Sequence, residues 1–223
     1  MKSNLFLRVI IFLFCLTASF PLRAEMLSET EAKQWTQEKG RQLLESFGEK
    51  DIMKKYASLD EMMTSYIDLG YVAKFVMGRY WRQMSQEQQN MYQNLFKRYA
   101  LSIYKGFPLD FNTDKINFEI VKVAPDLQKT LVKTKIFLKP ETTDETLPVN
   151  DIFVDFYLRK KDNQIKIIDL KLGESSLILS YRSRFYEMIA QNDDDVEWFL
   201  EDLSSITEAA ERTVQEKLRQ SEY

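Results

Sequence analysis

The chain is 223 residues long, 44% hydrophobic and 13% aromatic, enough for one sizeable core and far from the composition of a disordered chain. It contains no histidine and a single cysteine, Cys15, and its 31 basic and 34 acidic residues give a net charge of −3. That inventory excludes histidine general bases and the usual zinc sites, and an acidic balance argues against nucleic acid and against lasting adhesion to anionic membranes, both of which reward a basic face.

Residues 1–24 read as a secretory signal peptide. Lys2 and Arg8 precede an apolar run from Val9 to Leu16, too short to span a bilayer, and Leu22-Arg23-Ala24 offers a small residue for cleavage before Glu25. Cys15 follows Phe14 inside that run, where a lipoprotein signal would need a small residue. Acyl anchoring is therefore not expected, and the processed chain has no thiol nucleophile. Cleavage removes Lys2, Arg8 and Arg23 and no acid, taking the net charge from −3 to about −6.

Ser28 and Glu31 form a capping box that opens a helix running to Phe47 and ending near Gly48. Asp51–Tyr56, Ser58–Ile67 and Asp68–Met77 follow as consecutive short helices, with Ser58 and Asp68 as caps. The stretch from Asp68 to Phe107 carries more aromatic residues than any other block of its length and joins two amphipathic patterns through Gly78, Arg79, Tyr80 and Trp81. In its second half Ser85 and Gln88 make another capping box, opening a helix to Tyr104 on which Tyr92, Phe96, Tyr99 and Ile103 share one face.

After Pro108 the period changes to two. Lys115–Val123, Lys129–Leu138, Asn150–Arg159 and Gln164–Leu172 read as four strands of an antiparallel meander, separated by Pro125-Asp126, the polar stretch Pro140 to Pro148, and Lys161-Asp162-Asn163. Each has one dry and one wet face: Ile152, Val154, Phe156 and Leu158 alternate with Phe153, Asp155, Tyr157 and Arg159, and Ile168, Leu170 and Leu172 oppose Asp169 and Lys171. Gly173 ends the sheet. A helix over Leu177–Ile189 follows, then the acidic turn Asn192–Asp195 and a last helix from Val196. The pattern makes 25–205 one domain and 206–223 a polar helical tail expected to fray, above all from Arg212 onward. Helices first, a curved meander after, and one shared dry face describe an α+β cone: a four-stranded antiparallel curved sheet with helices before and after it closing over one face.

Two segments carry a family resemblance. From Tyr66 to Tyr104 the order is glycine, basic residue, Tyr80-Trp81, a Gln-rich helix start, Phe96, Tyr99 and Tyr104; from Ile165 to Phe185 it is Asp169, Gly173, Ser176, Leu177, Tyr181, Arg182 and Phe185. Together these resemble the MlaC family, periplasmic phospholipid carriers of Gram-negative bacteria, over about Glu29 to Leu203. Glu174 and Ser175 depart from the family's more apolar lead-in, Asn192 to Asp195 replaces a glycine-centred turn, and the loop Pro140 to Pro148 is long. The resemblance implies an NTF2-like cone in the periplasm, phospholipid as cargo with no other cofactor, and a monomer. The implied partners are the substrate-binding complex of an inner-membrane ABC transporter and an outer-membrane lipoprotein/porin complex.

Such a carrier needs an apolar cleft for acyl chains, because each methylene left in water costs about 0.8 kcal/mol, with the phosphate kept near water. On the dry face of the sheet Val132, Ile136, Ile152, Val154, Phe156, Ile168, Leu170 and Leu172 are placed to line it; on the helices, Tyr99, Ile103, Tyr104, Leu177, Tyr181 and Phe185. By pattern alone each of these reads equally as ordinary core, and the resemblance is what implies a pocket. Two other functions fit the same elements. One is an NTF2-like isomerase or dehydratase with Asp155 or Asp169 and Tyr181 as acid/base groups, although both aspartates alternate away from the dry face. The other is an envelope interaction module with a filled core and no ligand.

Overall fold

The computed structural model describes residues 26–106, 113–138 and 151–221. The expected leader over 1–24 and the loop from Pro140 to Pro148 lie outside the described residues. In chain order the elements are α1 (Glu29–Gly48), α2 (Ile52–Tyr66), α3 (Leu69–Met77), a 3₁₀ turn over Tyr80–Arg82, and α4 (Gln86–Gly106). Then come β1 (Ile116–Ala124), β2 (Thr130–Leu138), β3 (Ile152–Lys161), β4 (Gln164–Leu172), β5 (Ser175–Ser176), α5 (Leu177–Gln191) and α6 (Val196–Gln220). The strands form one antiparallel sheet in the order β1-β2-β3-β4-β5, the expected α+β arrangement with a two-residue fifth strand added at the β4 edge.

The helix starts are set by side chains that satisfy otherwise orphaned N–H groups. Ser28 Oγ accepts from the Glu31 N–H at 3.2 Å while the Glu31 carboxylate accepts from the Ser28 N–H at 3.1 Å. Ser85 and Gln88 repeat that box at α4, at 3.2 and 2.9 Å. Asp51 caps α2 through the N–H groups of Met53 and Lys54, and Asp68 caps α3 through that of Tyr71. The two short helices expected over Asp51–Ile67 are one, because Ser58 lies inside α2 and its hydroxyl meets Ser46 Oγ of α1 at 2.6 Å instead of capping. At the other end of the chain the polar tail continues as helix to Gln220. Val214 is buried there, and the Arg98 guanidinium of α4 donates two hydrogen bonds to the Glu211 carboxylate, at 2.8 and 2.7 Å.

Burial divides into two cores. Tyr92, Phe96 and Tyr99 of α4, Phe185 of α5 and Phe199 of α6 pack with Val76 and Met77 of α3 into an aromatic cluster whose rings lie 5.3–6.3 Å apart, mostly edge-on or tilted. The second core is smaller: Leu27, Ala32, Val132 and Leu158 join α1 to the dry face of the sheet, with Trp35, Phe156 and Ile167 packed against them.

The alternation along β4 is broken by a bulge. Phe156 pairs with Leu170 and Tyr157 with Asp169, but Leu158 pairs with Ile167, leaving Ile168 as the extra residue. The dry face of β4 is therefore Ile165, Ile167, Leu170 and Leu172, and the expected run of Ile168, Leu170 and Leu172 on one face does not form.

Gly78 links α3 to the turn at φ +51°, and a Cβ there would stand 2.3 Å from the Tyr186 hydroxyl. That hydroxyl accepts from the Arg79 N–H at 3.0 Å and donates to the Met77 carbonyl at 3.2 Å. Arg79 lies over the rings of Tyr80 and Tyr186, and the Tyr80 hydroxyl donates to Asp194 at 2.5 Å. Gly78→Ala combines left-handed backbone strain with a steric clash, and we expect a loss of about 1–3 kcal/mol in thermal unfolding. A melting temperature equal to that of the parent would show that neither constraint operates.

Candidate functional site

Between α1 and α2 on one side and the dry face of the sheet on the other lies a cavity of about 260 Å³, just under the usual range of ligand sites, roughly 300–1,000 Å³. α1 contributes Thr36, Lys39, Gly40, Leu43, Leu44 and Phe47, spaced i, i+3, i+4, i+7, i+8 and i+11 on one helical stripe. Trp35 flanks that stripe and meets Tyr66 of α2 edge-on at 5.9 Å. Leu59, Met62, Met63, Tyr66 and the following Ile67 complete the wall from α2, Tyr104 enters from α4, and the sheet supplies Phe118, Thr134, Ile136, Phe156, Ile167 and Leu170.

The few polar atoms of this wall are mostly occupied elsewhere. Thr134 Oγ1 donates to the Val154 carbonyl at 2.9 Å, and the Tyr66 hydroxyl donates to Gln42 Oε1 at 3.1 Å. The Tyr104 hydroxyl donates to Asp60, which also holds Lys105 at 2.6 Å; burial, then the bond to Asp60, pushes that hydroxyl far above the usual tyrosine range. Thr36 Oγ1 is buried without a hydrogen-bond partner among the described residues. The space is thus hydrocarbon-lined and dry in character, suited to alkyl chains and poor in groups that could move a proton. Gly40 keeps it open, since a Cβ there would stand 2.4 Å from the Phe118 ring and push that ring into the cavity.

Of the residues expected on the lining, Tyr104, Ile136, Phe156 and Leu170 lie on it. The others do not, for reasons that differ. Tyr99 and Phe185 are fully buried in the aromatic cluster, with Ile103 and Tyr181 packed against it, because α4 and α5 turn their aromatic faces toward α3 and α6. Val132 fills the small core under α1. Ile168 is carried off the dry face by the bulge and is buried apart from the cavity. Val154, paired with Thr134 and Leu172, shares the cavity's side of the sheet but is not on the lining. Ile152 and Leu172 stand at the open end of the strands, exposed at 36% and 63%, and Leu177 is 48% exposed at the first turn of α5.

Neither aspartate of the enzymatic alternative is in the cavity. Asp169 accepts from the Ser176 hydroxyl at 2.6 Å and the Ile178 N–H at 3.2 Å, fixing the start of α5, and Asp155 faces Lys133 at 3.8 Å. Among the described residues there is no group of three or more histidine, cysteine or acidic side chains placed to hold a metal ion, and no helix long and apolar enough to cross a membrane. What the sequence reading missed is the whole α1–α2 wall. Its signal was present in the stripe from Thr36 to Phe47 and in the paired Met62 and Met63, whose unbranched side chains adapt to irregular space.

The model of the family described as MlaC protein matches residues 33–205, which span every element that lines the cavity. The chain belongs to the MlaC family. No curated protein matches it. Among solved structures it is similar to the phospholipid-binding protein from Ralstonia solanacearum, determined in complex with a phospholipid. The TM-score is 0.66 at 19% identity, over 80% of this chain and 98% of the other, a likeness of fold. The MlaC match ends within α6, so the last turns of that helix, with Val214 and Glu211 against α4, lie outside it.

The α1 wall is pinned over the sheet at its first turn. Lys160 of β3 meets the Glu31 carboxylate at 3.1 Å, and that carboxyl is held at about 2 by the Ser28 hydroxyl, then the Ser28 N–H, then Lys160. A carboxyl depressed in the folded state stabilises fully above its ordinary pKa near 4.5 and loses that contribution as pH falls through about 2. Thermal unfolding of the parent should therefore fall more steeply between pH 4.5 and 2 than that of Glu31→Gln. Parallel curves would contradict the assignment.

Proposed function

We propose that this MlaC-family protein is a periplasmic carrier that holds the acyl chains of a phospholipid between α1–α2 and the sheet. It shuttles lipid between outer- and inner-membrane complexes and so maintains outer-membrane lipid asymmetry. The observation that carries this reading is the hydrocarbon-lined cavity itself, which a protein whose only task was protein contact would have filled. Two findings support it further: the family match over the cavity-forming elements, and the phospholipid held by the Ralstonia solanacearum protein of similar fold. Burial of each methylene contributes about 0.8 kcal/mol, so even part of an acyl chain gives useful affinity. The seam between α1 and α2 is joined by exchangeable polar contacts, Ser46 to Ser58 and Tyr66 to Gln42, which suits a wall that must part to admit a chain.

Release from the membrane and delivery to a membrane complex are binding steps, and the reading assigns no reaction to the protein. The partners it requires are the substrate-binding complex of an inner-membrane ABC transporter and an outer-membrane lipoprotein/porin complex, with the mature chain exported and free as a monomer.

Native mass spectrometry of protein purified from the periplasm should show adducts of phospholipid mass. Leu170→Glu places a carboxylate in the cavity and should abolish the adduct; because the hollow admits water to the new charge, unfolding should fall by only about 2–8 °C, or about 1–2 kcal/mol. Bare parent protein together with global unfolding of Leu170→Glu would mean a filled core and would end the carrier reading.

A further inference from the structure

Lys39 breaks the rule that made the α1 wall. It occupies a position of the stripe between Thr36 and Leu43 and, among the described residues, is the one charged side chain on the cavity lining. Departures from binary pattern of this kind concentrate where a chain does something besides fold. Its stem lies along the cavity wall while its ammonium reaches the water's edge, the side chain being 20% exposed. There Nζ stands 4.7 Å from the centroid of the Tyr66 ring, 3.2 Å from Gln42 Oε1 and 2.8 Å from the Glu38 carboxylate.

The partnership with Glu38 is the exchangeable one. Glu38 is the preceding residue, its side chain is 61% exposed, and ion pairs at that exposure are weak and screened by salt. The other lysine near the cavity, Lys105 beside Tyr104, is committed to Asp60 at 2.6 Å with its side chain only 15% exposed. Among the described residues, a chain lying in the cavity thus meets an ammonium on the lining, that of Lys39, that can change partners.

We propose that Lys39 is the headgroup anchor of this site, binding the lipid phosphodiester and favouring phospholipids of net negative charge. The inference rests on the phospholipid reading above. The selectivity follows from charge balance. A zwitterionic headgroup carries its own ammonium beside the phosphate, whereas a headgroup such as glycerol leaves the phosphate without a counterion, so a fixed lysine gains more from the second. The Tyr66 ring and Gln42 hold the ammonium in place, which lowers the ordering cost of the contact.

The test loads the full mature chain from vesicles of equal phosphatidylglycerol and phosphatidylethanolamine and reads the ratio of the two bound lipids by native mass spectrometry. Lys39→Met keeps the apolar stem and removes the charge, and should lower the glycerol-to-ethanolamine ratio roughly threefold to tenfold. Lys39→Arg should restore it. If the Met variant does not fold, Lys39→Gln makes the same comparison. An unchanged ratio in a folded, lipid-bearing Met or Gln variant would overturn the anchor, as would an Arg variant shifted as far as Met, which would mark packing rather than charge. Excess inorganic phosphate should leave the parent's ratio intact; loss of the preference would identify a free-anion site instead. A parent that takes up neither lipid would refute the carrier reading itself and the anchor with it.

Discussion

The packing of five aromatic rings, Tyr92, Phe96, Tyr99, Phe185 and Phe199, is the interaction on which the rest of this molecule depends. Each edge-on or tilted ring pair contributes about 0.5–1.5 kcal/mol beyond its burial, and together they lock α3, α4, α5 and α6 into one filled block. With the cohesion of the fold concentrated there, the opposite half can tolerate a hollow. α1 rests on the sheet through a small core at one end, Leu27, Ala32, Val132 and Leu158, and farther along α1 and α2 border the cavity. An empty space normally costs stability in proportion to its volume, so a cavity survives where other burial carries the fold.

Much of the fold was legible in the sequence because the devices that set it are local. Capping boxes at Ser28 and Ser85, the aspartate cap at Asp68, and the change of period after Pro108 indicate the element types and most of their limits. Ser58 was read as a cap and is not one, since a hydroxyl facing Ser46 on a neighbouring helix leaves no local mark. The tail was read as fraying because it is nearly all polar from Arg212 onward; in the structure a buried Val214 and the bidentate pair of Glu211 with Arg98 hold it against α4.

The site was less legible, and the reason is instructive. The motifs that carry the resemblance, Tyr66 to Tyr104 and Ile165 to Phe185, include much of the filled aromatic block, so the helical lining inferred from them falls on α4 and α5, whereas the cavity is walled mainly by α1 and α2. Sheet residues fared by phase: Ile136, Phe156 and Leu170 sit on the lining, while Ile168 is displaced by a one-residue bulge that alternation cannot foresee. A hollow and a core demand the same apolar pattern from a chain. Lys39 is an exception to that pattern, a charged side chain on the α1 stripe that borders the cavity.

The central claim is that hydrocarbon lies between α1 and the sheet, and Trp35 is an internal reporter for it. It lines the cavity, whereas Trp81 packs against the aromatic block and Trp198 is 61% exposed on α6. In a protein carrying Trp81→Phe and Trp198→Phe, fluorescence from Trp35 should be strongly quenched when the chain is loaded with phospholipid bearing brominated acyl chains, and not with the unbrominated lipid. Bound brominated lipid that leaves Trp35 unquenched would place the chains elsewhere and contradict the account.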